Sequence, residues 1–255
     1  MVSMDLQNLK LGKNPYVQDT RTFHLSTYLP VLPSVPKSWD WGATVSAWGM
    51  DMNDKIGCCT VAGMDHAQDL WIANSVGKSF KCTDSDIVRI YSAISGYDPK
   101  TGYGDDGANL IDCLKYWQKT GVNGHRITAY MKVDATNQAR VNAALYLFGC
   151  LYAGVGLPNT AGPQVGKVWT VTDKSLRGDA APYSWGGHCV LISAWGNLYK
   201  CITWGAEQLM DAQFLGTYAD ELWVALTLDW FTAQHKTPAG FLYKELTADL
   251  KALQG

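Results

Sequence analysis

Asn53-Asp-Lys-Ile-Gly-Cys-Cys-Thr-Val-Ala-Gly63 joins a polar loop to an apolar run, with two adjacent cysteines at the junction. The run continues with helical spacing: Val61, Met64, Gln68 and Trp71 mark one face of an amphipathic helix expected over 59–76. A cysteine at a loop-to-helix junction sits at the positive end of the helix dipole, which favours the thiolate over the thiol. The depressed thiol pKa expected for Cys59 follows from that placement.

Outward along the chain, Trp185-Gly-Gly-His-Cys-Val-Leu-Ile192 puts His188 at the head of an apolar run that reads as a buried strand. A cysteine nucleophile needs a base for its proton, and a histidine far away in sequence supplies one in thiol hydrolases. His66 shares the Cys59 helix two turns on, roughly 10 Å away, and reads as structural.

The rest of the chain divides into a helical and a β-rich half. Thr83 to Asp86 forms a capping box for a helix with Ile87, Ile90, Tyr91 and Ile94 inward. Leu110, Ile111, Leu114 and Trp117 mark a helix stopped near Gly121, and 136–148 another. After Gly149 the pattern turns to strands at 151–157, 188–195, 198–204 and 222–228, with a hairpin turn at Gly196-Asn197. Residues 158–187 read as long loops. Leu242, Leu246, Leu250 and Leu253 suggest a closing helix. The expected class is α+β with two lobes: an extended arm over 1–38, then a domain over 39–255. That domain has a mainly helical lobe at 39–149 and a mainly β lobe at 150–255. Pro30, Pro33 and Pro36 keep the arm extended, as a surface layer or as a short inhibitory segment.

Composition narrows the function. The chain has 255 residues, 47% hydrophobic and 17% charged, which suits a folded core. A net charge of −2 without a basic run argues against nucleic acid as a partner. No apolar run reaches the length of a membrane span, and the N-terminus lacks a secretory pattern. Seven cysteines, several in apolar segments, suggest free thiols in a reducing setting, cytoplasm or virion, rather than a secreted disulfide framework. No zinc or nucleotide motif is present, and Asp98, Asp105 and Asp106 lack the spacing of a calcium loop, so no cofactor is expected.

Taken in order, these motifs resemble the papain-like cysteine peptidases. Val35-Pro-Lys-Ser-Trp-Asp-Trp-Gly-Ala-Thr-Val45 resembles their mature start, and 53–60 their active-site loop, with Asn53 where the family has Gln. Gly102-Tyr-Gly-Asp-Asp-Gly-Ala108 resembles the glycine-rich edge that grips an extended peptide, Gly187-His-Cys-Val190 the histidine strand, and Thr203-Trp-Gly205 the end of Asn-Ser-Trp-Gly. The resemblance extends over 35–228 and is nearest to a group found in bacteria and their phages. It implies Cys59 as nucleophile, His188 as its base, and Asn53 with the Cys59 N–H as oxyanion donors. Asp106, Gly107 and Ala108 would bind a peptide or protein substrate as an added strand, and Trp204 would shield the histidine's edge. The family's orienting Asn falls on Ile202, which cannot accept a hydrogen bond. Thr203 can, although strand alternation turns it to the opposite face. Cys58 reads as filling space, with a competing reactive thiol as the alternative. Ile56 stands where secreted relatives have a disulfide cysteine. The alternative to a peptidase is an inactive papain-like protein that binds a partner, such as a phage-particle component. An amidase or acyl transferase would use the same pair of residues.

Overall fold

The structure is a computed structural model that describes residues 9–19, 22–232 and 236–240. In chain order its elements are α1 (Leu25–Tyr28), β1 (Trp39–Asp40), α2 (Cys59–Val76), α3 (Asp84–Ser95), α4 (Leu110–Lys119), β2 (Ile127–Val133), α5 (Gln138–Phe148), β3 (Leu151–Leu157), β4 (Val168–Trp169), β5 (Gly186–Trp195), β6 (Tyr199–Thr203), β7 (Ala206–Met210), α6 (Ala212–Tyr218) and β8 (Ala219–Thr227). The closing helix expected near Leu242 lies outside the described residues.

One sheet runs β2-β8-β3-β5-β6-β7-β4, with β1 added along β5. Every pairing is antiparallel except β4 with β7. Strands β3 and β5 are central and pair from Leu151 with Ile192 through Val155 with His188 to Leu157 with Gly186. That register fixes the height of His188 on the sheet. Helix α2 packs against β5, so its first residue, Cys59, arrives beside the strand that carries the histidine.

Helix α2 corrects the expectation of an amphipathic helix. Its residues from Cys59 to Trp71 are all buried, polar Thr60, Asp65, His66, Gln68 and Asp69 included. It is the central helix of the molecule, and several of its polar side chains find partners inside rather than in water. Asp65 accepts the Cys82 N–H at 2.9 Å, Asp69 accepts the Phe80 N–H at 2.8 Å, and the Gln68 amide donates to Asp229 at 2.8 Å. The expected capping box of α3 is present, with Thr83 and Asp86 exchanging bonds. Strands β2 and β7 and helix α6 have no counterpart in the sequence reading. In β2 the inward residues Ile127, Ala129, Met131 and Val133 alternate with Thr128, Tyr130 and Lys132. Ala, Met and Lys are poor strand formers, and pairing with β8 overrides their preference.

Candidate active site

Cys59 opens α2, with Cys58 in the N-cap position. The Cys59 side chain is buried, and the N–H of Cys189, next to His188, donates to its Sγ at 3.4 Å. A second backbone N–H, that of Gly12, also donates to this sulfur. The depressed thiol pKa expected from the helix dipole is not what the structure holds. Burial pushes the Cys59 thiol up to about 12, outweighing the two N–H bonds and the distant Lys13 charge. A dipole effect confined to the first turn is worth at most about 2 kcal/mol, too little to offset full burial.

His188 lies on β5 with 1% of its surface exposed. Its Nε2 is 2.6 Å from the Thr203 hydroxyl oxygen. Its Nδ1 is buried with no hydrogen-bond partner among the described residues. Burial pushes the imidazole pKa down to about 3, so the ring is neutral in this state. With Nδ1 bare, the neutral tautomer that fits is Nε2–H donating to Thr203 Oγ1, which leaves Nδ1 as an acceptor. Trp204 stacks on the ring, centroids 4.3 Å apart and planes 15° apart. It covers the histidine's face, where the sequence reading expected it to shield an edge. Trp204 and Gly205 both have positive φ, 46° and 69°, and form the two-residue turn between β6 and β7. That turn brings Thr203 to the histidine, while Ile202 pairs with Leu191 in the sheet and stays in the core.

Residues 10–14 lie across this site as a strap. The Lys10 N–H donates to Asn53 O at 3.2 Å. The Lys10 carbonyl accepts from Asn53 Nδ2 at 3.3 Å and from Trp204 Nε1 at 2.9 Å. Asn53 Nδ2 also donates to the Ile56 carbonyl at 3.3 Å. The amide expected at the oxyanion is therefore engaged with the strap and its own loop. Ala108 N–H donates to Gly12 O at 2.9 Å, Asn14 N–H to Ala108 O at 3.0 Å, and Lys13 N–H to Gly187 O at 3.0 Å. Lys13 and Ala108 pair in parallel. Ala108 thus holds an extended segment as an added strand, and the segment is the chain's own. Gly107 acts differently: its N–H donates to the Tyr91 hydroxyl at 2.9 Å, and Asp106 is exposed. The fit leaves no room for side chains. A Cβ on Gly12 would lie 1.7 Å from Gly57 O, and one on Gly187 would lie 1.9 Å from Lys13 O.

The neighbouring polar groups have settled roles. Cys58 is buried and its thiol donates to Asp51 O at 3.1 Å. His66 Nε2 lies 2.9 Å from both Asp51 Oδ2 and Gly49 O. All seven cysteines are free. Among the described residues no cluster of His, Cys, Asp or Glu is placed to hold a metal ion, and no helix is long and apolar enough to cross a membrane.

Sequence reading offered the 1–38 arm as a surface layer or a short inhibitory segment, but it did not place residues 10–14 in the groove. Residues 9–19 carry no periodicity, and their pairing with Ala108 and Gly187 spans the length of the chain. It also missed Tyr183, Asp220 and Glu221, which receive the Lys13 side chain. The only available signal was two adjacent carboxylates at the head of the apolar run from Leu222.

No protein-family model matches the sequence, and no curated protein matches it at a significant level. Solved structures do match in shape. Xylellain, a cysteine protease from Xylella fastidiosa, superposes with a TM-score of 0.63 over 87% of this chain and 97% of its own, at 17% identity. A digestive procathepsin L2 from the larval midgut of Tenebrio molitor gives 0.60 over 89% of this chain and 81% of its own, at 15% identity. A procathepsin B from Trypanosoma congolense gives 0.58 over 88% and 89%, at 11% identity. The chain has the α+β fold of the papain-like cysteine proteases.

Proposed function

We propose that this protein is a latent papain-like cysteine peptidase whose own residues 10–14 close the groove. What supports the reading is that β5, which carries His188 with its bare Nδ1, reaches Cys59 at the α2 N-terminus through the Cys189 N–H, beneath an extended peptide. Once the strap leaves, water and substrate reach both groups, and the burial that keeps them neutral is relieved. The Cys59 thiol proton then passes to His188 Nδ1, forming a thiolate–imidazolium pair. Thr203 holds the Nε2 side of the ring. The sulfur attacks the scissile carbonyl, forming a C–S bond. The oxyanion is held by the Cys59 N–H and the Asn53 amide, which the strap's departure frees from Lys10. His188 returns the proton to the leaving amine as the C–N bond breaks. Water, deprotonated by His188, hydrolyses the thioester and regenerates Cys59.

The strap escapes this chemistry because it shows the sulfur an N–H, that of Gly12, rather than a carbonyl carbon. Two of the similar structures described above are proforms by name, which agrees with a covered site.

A covered Cys59 also favours a second reading, an inactive papain-like protein that binds a partner such as a phage-particle component. One experiment separates the two. Full-length Gly12→Ala, whose Cβ has no space beside Gly57, displaces the strap and is assayed on unstructured protein substrates. Cleavage that disappears in Gly12→Ala/Cys59→Ala supports the peptidase. An opened groove without cleavage supports the binding protein.

A further inference from the structure

The Lys13 side chain enters a pocket of its own beside the candidate catalytic groups. Its side chain has 0% exposure, unusual for a lysine, and its ammonium meets two carboxylates. Nζ is 2.6 and 2.5 Å from the two Asp220 oxygens, 3.2 Å from Glu221 Oε1 and 2.7 Å from the Tyr183 hydroxyl. The Tyr183 hydroxyl also donates to Asp220. Nζ lies 5.3 Å from the centre of the Tyr183 ring. Gly154 makes the pocket possible: a Cβ there would lie 2.5 Å from Lys13 Cε. The carboxylates come from the start of β8, and the pocket opens one residue along the strap from Gly12, which covers the sulfur.

Two carboxylates face one ammonium, so the pocket's acidic groups exceed its own cation. Glu221 is 2% exposed and also accepts from the Trp223 indole N–H at 2.7 Å. When Lys13 leaves with the strap, Glu221 and Asp220 stand side by side without a cation. An uncompensated charge is costly on Glu221, which is 2% exposed, and the Asp220 carboxylate beside it, 25% exposed, adds like-charge repulsion. A neutral aliphatic side chain in the pocket would leave that cost in place, and an acidic one would add to it. A side chain with a cationic tip on an apolar stem relieves it, as Lys13 does.

We propose that Tyr183, Asp220, Glu221 and Gly154 form a specificity pocket for a lysine or arginine side chain of the substrate, with Lys13 as its resident stand-in. This rests on the peptidase reading for the word substrate, although the pocket's preference for a cation does not. The strap is then a substrate-like ligand in side chain as well as in backbone. The substrate class is a basic extended peptide.

The test uses full-length Gly12→Ala/Cys59→Ala, open but unable to turn over, and fluorescent peptides that differ at one position as Arg, Lys, Leu or Glu. The expected result is Arg and Lys peptides binding at least about tenfold more tightly than Leu or Glu peptides, with the preference lost in Glu221→Gln and in Asp220→Asn. Leu bound as well as Arg, or no binding of any of them, overturns the pocket. Hydrolysis by the Cys59-intact protein is scored separately. Cleavage without basic preference removes the pocket and keeps the peptidase, while basic-selective binding without cleavage does the reverse. Should the pocket variants fail to fold, Lys13→Met and Lys13→Arg in the otherwise native chain give a second readout. Cys59 alkylation is expected to speed up in Lys13→Met and stay near wild type in Lys13→Arg. Equal rates in the two would also overturn the proposal.

Discussion

Two buried histidines, His66 and His188, face opposite electrostatic surroundings. His66 has the Asp51 carboxylate and the Gly49 carbonyl at one nitrogen, both at 2.9 Å. Burial lowers its pKa, but the Asp51 bond and charge outweigh that and leave it raised. Among the described residues His188 has no acidic partner, only the Thr203 hydroxyl, and burial drives its pKa down to about 3. His66 can keep a proton as part of the structure. His188 is held neutral with one nitrogen bare, a state that suits a base waiting for a proton. The difference separates a histidine with an acidic partner from one with a nitrogen left bare, although both are near-fully buried.

The comparison can be broken most sharply at Cys59. In the Gly12→Ala background, Cys59→Ala should lower peptide hydrolysis on the order of a thousandfold or more, and His188→Ala should do much the same. His66→Asn, by contrast, should leave Cys59 reactivity intact and lower folding stability by about 3 kcal/mol, because it strands Asp51 in the interior. Urea unfolding and alkylation rates on the same samples separate these effects. Thr203→Val comes next. Losing the hydroxyl leaves His188 Nε2 unpaired at a cost of about 1–3 kcal/mol, and on the proposed reading the opened protein should lose hydrolysis without losing its fold. Cys58→Ala should do least. It removes a thiol bond to Asp51 O, and it should shift stability by about 1 kcal/mol and leave alkylation of Cys59 unchanged.

Acidity distinguishes the two histidines in a further way. His66, with a raised folded pKa, adds stability that is complete below its unfolded pKa, about 6.5, and is lost as pH rises through the folded value. His188, with a lowered folded pKa, acts in reverse. The unfolded chain takes up its proton first, so stability falls as pH drops from about 6.5 towards 3. Denaturant titrations of His188→Ala should therefore show a weaker loss of stability between pH 6 and pH 4 than wild type, within the window set by these values.

The parts of this fold that were legible in the sequence are the locally encoded ones. Thr83 and Asp86 announce α3 because a capping box is a contact three residues long. Gly187-His-Cys-Val-Leu-Ile192 announces a buried strand because every residue after the histidine is apolar or nearly so. Strand β7, Ala206–Met210, is not announced, since Glu207 and Gln208 favour a helix and only pairing with β6 holds them extended. The identity of the histidine's polar neighbour was open for a similar reason. Aligning the Trp-Gly pair points to Ile202, but the left-handed turn at Trp204 and Gly205 delivers Thr203 instead. The strap was least legible of all. Lys13 looks like a surface residue until Asp220 and Glu221, from the other end of the chain, close around it.

The pH dependence of Cys59 alkylation, mapped by mass spectrometry in full-length Gly12→Ala with and without His188→Ala, bears most directly on the proposed ion pair. Reaction at Cys59 should persist well below pH 7 once the strap is displaced and should be lost when His188 is replaced. Wild type should react slowly throughout. Reaction only near the ordinary thiol pKa of about 8.5, indifferent to His188, would contradict a Cys59–His188 pair and leave the groove as a binding site alone.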